Sequence, residues 1–479
     1  MGKQRIEAAL REATDTQKVG IGAGALASVP DVFREGFGDS PAVVVADGNT
    51  FEVAGREVQR RLERAGHTMI ESYVFPAEPP LYAEYGNIEK LRDSLREHGA
   101  IPVAVGSGTI NDIVKRSAHE SERPYVCVAT AASMDGYTAF GASIEKDGLK
   151  QTLSCPAPRA VVGDLGVLKH APEEMTASGY ADLLGKVTSG ADWLIADALE
   201  VEEIEPTGWA LVQDHLRAWT GSPAELRTGD QKATEHLMEG LIMSGLGMQS
   251  YQSSRTASGA EHQFSHLWEM EGLGHGEGHR GTPLSHGFKV GVGTVAIAAL
   301  YELALERDLG DLDIEALRDS WPTREALERS VRAQHTSPDL EEGAVEQTLA
   351  KYISAGELAQ RLKLLRDVWP GLREKVRVQL RPAEQVREML RAAGCPTGPV
   401  EIGLGWGDFE ATYSRARTIR KRYTVLDLAF EAGILEECVD ELFAPVGFWG
   451  RAAASQTRAD GTRVIGPFRS DVREKHDDR

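Results

Sequence analysis

The histidines of this chain are concentrated in one short stretch. Five of the thirteen lie within 25 consecutive residues. Neutral imidazole is the commonest metal ligand in proteins, and it is also the usual acid or base near neutral pH. His262 and His266 are four residues apart on a predicted helix and so share one face, and His286 begins the next helical pattern. This density predicts a metal site, whereas His275 and His279, in the glycine-rich turn between the helices, are typical of a solvated loop.

A catalytic metal is typically held by three protein ligands and keeps one position open. The best candidate for a ligand from another part of the chain is Asp182, in the sequence SGYADLLGKVTSGADW. The alternative for Asp182 is an ion pair with Lys186, one helical turn later. Glu269 follows His266 by three residues and is placed to orient that imidazole. These residue types and spacings indicate a metal-dependent enzyme.

A second set of residues is suited to bind a diphosphate. Gly106, Ser107, Gly108 and Thr109 follow a predicted strand and begin the helix GSGTINDIVK, which also carries Asp112. Glycine lets the backbone approach a ligand closely, and the free N–H groups of a helix N-terminus attract an anion. The third glycine of the dinucleotide-binding fingerprint is missing, so an ordinary tight turn between strand and helix is the alternative.

Two further strand ends carry residues for the same ligand. Asp47 closes the strand PAVVVAD, where a carboxylate accepts hydrogen bonds from an adenosine ribose and repels a 2′-phosphate. Capping the next helix is its alternative role. Thr130, Ser133 and Asp135 lie in TAASMDGYTA, directly after another strand. Small residues are expected where backbone approaches a ligand, although Asp135 and Gly136 also form an ordinary turn pair.

The elements that must position these residues change in type along the chain. β-rich runs at 41–47, 101–106 and 124–130 alternate with helical patterns, and residues 139–168 are typical of a hairpin followed by a crossover strand. Continuous apolar strands between helices predict a parallel, doubly wound sheet. From Pro172 onward the patterns are almost entirely helical.

We therefore predict three parts: an N-terminal Rossmann-like α/β domain over residues 1–170, an all-α metal-binding domain over 171–454, and a mobile tail over 455–479. Helical patterns of the second part cover residues 173–202, 206–219, 230–248, 259–271, 286–307, 313–320, 323–334, 343–367, 382–393, 407–421 and 424–443.

Composition narrows the class of protein. Hydrophobic residues make up 41% of the chain and charged residues 26%, which is ordinary for a globular protein. The net charge of −20 argues against nucleic acid or an anionic membrane as the main partner. Four cysteines without CxxC spacing favour reduced thiols in the cytoplasm over a disulfide scaffold. No apolar signal segment begins the chain, and the most apolar run, 290–305, is too short and polar to span a membrane.

Six motifs occur in order along the chain: GSGTINDIVK, TAASMDGYTA, ASGYADLLGK, SRTASGAEHQFSHLWEM, SHGFKVGVGT and GLGWGDFEATYSRARTIRKRYTVLDLA. Together they resemble the sn-glycerol-1-phosphate dehydrogenases, most closely the bacterial AraM-type branch. That family shares a superfamily with glycerol dehydrogenase, the iron-dependent alcohol dehydrogenases and 3-dehydroquinate synthase. The resemblance implies a dehydroquinate synthase-like fold, with a nucleotide-binding domain followed by a helical metal-binding domain.

The resemblance also implies roles for individual residues. A divalent metal is expected on Asp182, His262 and His286. In the dehydroquinate synthase branch, the first of two histidines four residues apart is the ligand, which supports His262 and leaves His266 facing the substrate. The same comparison places a phosphate-binding arginine seven residues before the ligand histidine, which here is Arg255.

The cofactor and the substrate are expected between these two sets of residues. By the same resemblance, the nicotinamide lies near residues 106–108 and 130–133, with Asp135 near the substrate hydroxyls. Lys289, one turn after His286, is a candidate for a second positive charge on the phosphate.

We therefore expect an oxidoreductase that interconverts dihydroxyacetone phosphate and sn-glycerol 1-phosphate. It would use NAD(H) or NADP(H) and one Zn²⁺, Ni²⁺ or Fe²⁺ ion as a Lewis acid, with His266 and Asp135 as catalytic side chains. The alternatives are a sugar-phosphate cyclase of the dehydroquinate synthase type, a glycerol dehydrogenase acting on an unphosphorylated polyol, and a non-catalytic nucleotide-sensing or scaffolding protein. A cytoplasmic homodimer is also expected.

Overall fold

A parallel sheet organises the first third of the protein. The computed structural model describes residues 2–146, 149–273 and 284–455. The strands are β1 (Lys18–Gly22), β2 (Ala42–Asp47), β3 (Tyr73–Phe75), β4 (Ile101–Gly106), β5 (Val126–Ala129), β6 (Ala142–Lys146), β7 (Leu149–Leu153) and β8 (Ala160–Asp164). Six of them form one sheet in the order β1-β8-β5-β4-β2-β3, in which every pair is parallel. The other two, β6 and β7, form an antiparallel hairpin.

The predicted parallel sheet is confirmed, and two strands were missed. The runs at 41–47, 101–106 and 124–130 correspond to β2, β4 and β5, and the hairpin and crossover strand correspond to β6, β7 and β8. The first missed strand, β1, has the sequence KVGIG and is half-buried throughout. The second, β3, has only three residues and lies at the sheet edge. Neither strand has a continuous apolar run, and such runs were the basis on which strands were predicted from the sequence.

Helices cover both faces of this sheet, which explains why its central strands are apolar without alternation. They are α1 (Gly2–Ala9), α2 (Val29–Phe37), α3 (Gly48–Thr50), α4 (Arg56–Arg64), α5 (Tyr85–Arg96), α6 (Gly108–Glu120) and α7 (Leu165–Leu168). On one face Val44 packs in a cluster that includes Phe33 of α2. On the other face Val43 packs in a cluster that includes Ile88 of α5.

The rest of the described chain is helical. Its helices are α8 (Glu173–Leu184), α9 (Lys186–Ala198), α10 (Pro206–Gln213), α11 (Leu216–Trp219), α12 (Pro223–Arg227), α13 (Gln231–Tyr251), α14 (Ala260–Met270), α15 (His286–Glu306), α16 (Ile314–Ser320), α17 (Arg324–Gln334), α18 (Pro338–Leu349), α19 (Ala355–Gln379), α20 (Ala383–Ala392), α21 (Trp406–Arg415), α22 (Val425–Glu431), α23 (Leu435–Phe443) and α24 (Phe448–Ser455). Among the described residues only α15 is long and apolar enough to cross a membrane, and 83% of its apolar window is buried inside the protein.

The structure corrects the predicted helix at 343–367. Residues 350–354 separate α18 from α19, because the side chain of Ser354 caps α19 and Glu357 returns a bond to the Ser354 backbone. The pattern 173–202 likewise divides into α8 and α9 at Gly185. The division of the chain at residue 170 stays a prediction. His275, His279 and all of the predicted tail except Ser455 lie outside the described residues.

Helix α15 packs closely against α8. His286, at the start of α15, therefore lies beside the helix that carries Asp182. A Cβ atom at Gly287 would collide with the carbonyl oxygen of Ser178, and one at Gly291 would lie 3.0 Å from the Cβ of Ala181. Glycine at these positions lets the two helices approach closely. His286, the first residue of α15, is thereby held beside α8.

We predict that Gly287→Ala lowers the free energy of unfolding by about 1–3 kcal/mol, because the added methyl group overpacks this helix crossing. Gly371→Ala is the matched control, since it lies on the exposed side of α19 with no atom within 4 Å of the added carbon. Urea denaturation of both variants checks the prediction. Equal midpoints for wild type and Gly287→Ala would show that the crossing tolerates a side chain.

Candidate active site

Three helices converge on the predicted metal ligands. Asp182 lies on α8, His262 on α14, and His286 at the start of α15. Each offers a ligand atom within 4.8 Å of the others, and the Nε2 atom of His262 lies 3.4 Å from Oδ1 of Asp182. The ring centroids of the two histidines are 5.4 Å apart. The three residues predicted from the sequence are therefore brought together in one cluster.

Two glutamates orient the two imidazoles. The Nδ1 atom of His262 lies 2.8 Å from Oε1 of Glu261, and the Nδ1 atom of His286 lies 2.9 Å from Oε1 of Glu269. Because a carboxylate can only accept, each Nδ1 carries the hydrogen, and Nε2 is the ring nitrogen that remains for a metal ion. This arrangement is the usual support of a metal-bound histidine.

Glu261 was missed in the sequence, and its environment shows why it matters. Its carboxylate is fully buried and also accepts hydrogen bonds from the Thr188 hydroxyl (2.7 Å) and the Gly259 N–H (2.7 Å). Burial raises its pKa, but these bonds and the neighbouring His262 lower the pKa of Glu261 overall. Adjacent residues of a helix usually diverge, so the spacing gave no signal. Glu269 was expected to orient His266. Its carboxylate lies 3.4 Å from Nδ1 of His266 but 2.9 Å from Nδ1 of His286, so its closer contact is with His286.

Asp182 forms the ion pair considered as its alternative role, and it also lies in the cluster of predicted ligands. Its Oδ1 atom accepts from the Lys186 ammonium at 2.7 Å, as the ion-pair alternative proposed. Lys186 is fully buried and also lies 2.8 Å from Oδ2 of Asp135. Burial opposes ionisation of Asp182, but the charge of Lys186 holds the pKa of Asp182 far below its ordinary value. The aspartate is therefore an anion positioned beside the two imidazoles.

The charged side chains in contact around this cluster carry an excess of negative charge. They are Asp135, Asp182, Lys186, Glu261, Glu269 and Lys289. Among the residues that the structure describes, four carboxylates thus form ion pairs with two ammonium groups and the histidines, and uncompensated buried charge is costly. A bound cation would compensate this excess. The donor set and the charge both fit a metal ion bound by one aspartate and two histidines.

His266 lies beside the two ligand rings without joining their cluster. Its ring centroid is 6.0 Å from that of His262 and 5.6 Å from that of His286. Burial lowers the pKa of His266 to about 3, although Glu269 opposes this effect. The imidazole is therefore neutral at neutral pH, and burial disfavours its protonated form.

The predicted nucleotide residues share the carboxyl edge of the sheet. Asp47, Gly106 and Ala129 end β2, β4 and β5, which are neighbouring strands. The N–H of Thr130 donates to the Gly106 carbonyl at 3.1 Å. The side chain of Asp47 accepts from the backbone N–H groups of Asn49 and Thr50 through Oδ1. The helix-cap alternative for Asp47 is thus realised, with Oδ2 left for a ligand.

The loop after β4 allows close approach of a ligand. Ser107 precedes the first turn of α6, and Ser107, Gly108 and Thr109 are half-buried. A Cβ atom at Gly108 would lie 2.9 Å from Met134. Asp112 is different: it lies one turn further on, is buried, and accepts from the Ser143 N–H at 3.2 Å. It thus fastens the β6 hairpin, and this contact argues against its predicted cofactor role.

The loop after β5 connects the carboxyl edge of the sheet to the cluster of Asp182, His262 and His286. The backbone N–H of Asp135 donates to Oδ2 of Asp182 at 3.1 Å, and the carbonyl of Ser133 accepts from the Ser178 hydroxyl at 3.2 Å. The carboxylate of Asp135 accepts from the Ser244 hydroxyl at 2.8 Å. Residues 130–135 therefore run from the end of a sheet strand to a predicted metal ligand.

The structure contradicts the expected position of Arg255. Its side chain is fully buried, and its guanidinium donates to the carbonyl oxygens of Tyr423 (2.9 Å) and Asp192 (2.8 Å) and lies 3.3 Å from Glu202. It has no face open to a phosphate. The ammonium of Lys289, the second candidate for the phosphate, lies 3.0 Å from Glu269.

We predict that Arg255→Ala lowers the free energy of unfolding by about 2–3 kcal/mol, because it removes charge-assisted hydrogen bonds and leaves buried carbonyls without a donor. Arg391→Ala, on the exposed side of α20, is the control for loss of one positive charge. Denaturant unfolding of the two variants measures the effect. If Arg255→Ala has the same free energy of unfolding as Arg391→Ala, the structural role of Arg255 is wrong, and Arg255 is again a candidate for binding phosphate.

Comparison with known proteins shows which family the chain resembles. Residues 20–172 match the family model of iron-containing alcohol dehydrogenases. A glycerol-1-phosphate dehydrogenase (NAD(P)+) of Bacillus velezensis is 36% identical over 309 residues, covering 64% of this chain and 77% of that protein. One from Bacillus subtilis (strain 168) is 32% identical over 397 residues, covering 81% of this chain and 85% of that protein.

A solved structure, described as a probable glycerol dehydrogenase from Sinorhizobium meliloti 1021, covers 89% of this chain and 98% of its own with a TM-score of 0.55. At 17% sequence identity that likeness shows the fold alone. The two Bacillus relatives are similar over more than three quarters of their own length. The chain therefore belongs to the glycerol-1-phosphate dehydrogenase (NAD(P)+) family.

Proposed function

We propose that this protein interconverts dihydroxyacetone phosphate and sn-glycerol 1-phosphate, with NAD(H) or NADP(H) and one divalent metal ion. The observation that carries the proposal is the hydrogen bond between the Asp135 backbone and Asp182. It joins the loop that leaves the nucleotide edge to the predicted metal cluster. A hydride donor at that edge and a substrate at the cluster would therefore be neighbours, as a dehydrogenase requires. The names of the relatives supply the substrate.

The metal would be held by Asp182, His262 and His286, through the atoms that the supporting carboxylates leave available. When bound, such an ion supplies Lewis-acid stabilisation of an alkoxide. The buried carboxylates Glu261 and Glu269 keep both imidazoles in one tautomer. Nitrogen and oxygen donors without thiolate suit Zn²⁺, Ni²⁺ or Fe²⁺.

Two side chains of the chain itself are placed to act on the substrate. Asp135 is fixed by Lys186 and Ser244, so its carboxylate is oriented to accept a hydrogen bond from a substrate hydroxyl. His266 lies beside the rings of His262 and His286, so it is placed to accept the proton that an alcohol loses on oxidation. The cofactor supplies hydride transfer when bound, and Gly106, Gly108 and Thr130 would leave room for it.

We predict that His286→Ala and His266→Ala separate metal binding from proton transfer. His286→Ala should retain less than one metal ion per chain and lose turnover, because a ligand is removed. His266→Ala should keep one ion per chain and lose kcat by about 10²- to 10⁴-fold, because only an acid–base group is removed. Metal analysis and initial rates of NADH oxidation with dihydroxyacetone phosphate measure both. Stoichiometric metal and normal turnover in His286→Ala would exclude this residue as a ligand.

We also predict that the protein prefers NAD(H) to NADP(H), because the Asp47 carboxylate repels a 2′-phosphate. Asp47→Asn should lower the ratio of kcat/KM for NAD(H) over NADP(H) by about fivefold, which corresponds to ~1 kcal/mol of charge repulsion. Asparagine caps a helix as well as aspartate does, so the substitution removes the charge without losing the cap. Asp39→Asn, at an exposed residue, controls for the change in net charge. The measurement is the ratio of kcat/KM for the two cofactors. An unchanged ratio would show that Asp47 caps the helix and has no role in cofactor preference.

A further inference from the structure

One strongly basic segment of this acidic chain has no role in the account above. Residues 415–422 have the sequence RARTIRKR and carry five positive charges, whereas the whole protein has a net charge of −20. This basic segment follows α21 and includes the 3₁₀ turn Ala416–Ile419, which packs against α14. It therefore runs beside the helix that carries His262 and His266.

Most of its cations have structural partners. Arg415 pairs with Glu271, and the guanidinium of Arg417 stacks on Phe430 at 3.8 Å from the ring centroid. Arg422 donates to the Ser258 carbonyl at 2.7 Å and to a serine hydroxyl at 2.8 Å. Lys421 is exposed to solvent.

Arg420 is the exception. It forms no hydrogen bond or salt bridge with any residue in the described ranges, although it is only partly exposed. Burial lowers the pKa of Arg420, and the nearby charge of Glu269 opposes that effect. A guanidinium that donates to no described residue is suited to bind an anion, because its five donors remain available.

The contacts on either side of Arg420 place it next to the active site. The Arg415 pair with Glu271 fixes one end of the basic segment at the C-terminal end of α14. The amide of Gln263 donates to the Arg422 carbonyl at 3.2 Å and fixes the other end near the start of that helix. Arg420 lies between these points in the chain, close enough to His266 and Glu269 for its charge to act on both. In agreement, its charge adds to burial in lowering the pKa of His266.

We propose that Arg420 binds the phosphate group of the substrate, an inference that rests on the proposed function. A guanidinium donates two parallel hydrogen bonds to a phosphate, and a local cation offsets the repulsion that an acidic protein exerts on an anionic substrate. Neither of the earlier candidates is equally available, since Arg255 is enclosed and Lys289 contacts Glu269. Arg420 would thus determine the preference for a phosphorylated triose.

The test compares Arg420→Gln with Lys421→Gln, the adjacent and exposed cation. For Arg420→Gln, kcat/KM for dihydroxyacetone phosphate should fall by about 10- to 100-fold, and kcat/KM for unphosphorylated dihydroxyacetone should stay unchanged. Lys421→Gln should leave both values near those of wild type. As a second measurement, the inhibition constant of inorganic phosphate should weaken by a similar factor only in Arg420→Gln.

Circular dichroism shows whether Arg420→Gln is folded, and metal analysis shows whether it contains its metal ion. Arg420→Lys should recover part of the lost rate, because it restores the charge without the paired donors. Equal losses on both substrates, or no loss on either and an unchanged phosphate inhibition constant, would overturn the role of Arg420. Failure of the wild-type protein to reduce dihydroxyacetone phosphate would instead overturn the proposed function, so the two failures are distinguishable.

Discussion

Each of the two predicted ligand histidines donates its Nδ1 proton to a buried carboxylate, and these hydrogen bonds determine what can bind between the rings. His262 is bound to Glu261 and His286 to Glu269, so Nε2 is the ring nitrogen that each histidine has for a metal ion beside Asp182. Among the residues that the structure describes, the carboxylates in ion pairs around this cluster outnumber the ammonium groups. A cation is therefore the species that this arrangement is built to hold.

The packing of α8 against its neighbours positions these residues. Glycines at 179 and 287 let α8 lie directly against the backbone of the loop after β5 on one side and against α15 on the other. The first contact brings the nucleotide edge of the sheet to Asp182, and the second brings His286 to the same point. The predicted substrate and nucleotide sites thus depend on two close backbone approaches, and bulkier side chains at either glycine would separate them.

Sequence patterns predicted the parallel sheet, because apolar strands are a local signal. The density of histidines and the family resemblance pointed to Asp182, His262 and His286, which lie in one cluster. These signals were insufficient for Arg255 and Glu261. The partners of Arg255, Asp192 and Tyr423, are 63 and 168 residues away in the chain, so its enclosure depends on tertiary packing. The break between α18 and α19 was missed for a different reason: the capping residues Ser354 and Glu357 were read as part of a continuous helical pattern.

The most direct test of the metal site is X-ray absorption spectroscopy of the zinc-loaded protein. The structure predicts one ion per chain, with two imidazole nitrogens at about 2.0–2.1 Å, carboxylate oxygen in the same shell and no sulfur. All four cysteines are buried as free thiols, and none belongs to the cluster of Asp182, His262 and His286. A spectrum with a zinc–sulfur distance near 2.3 Å, or without imidazole scattering, would contradict the account.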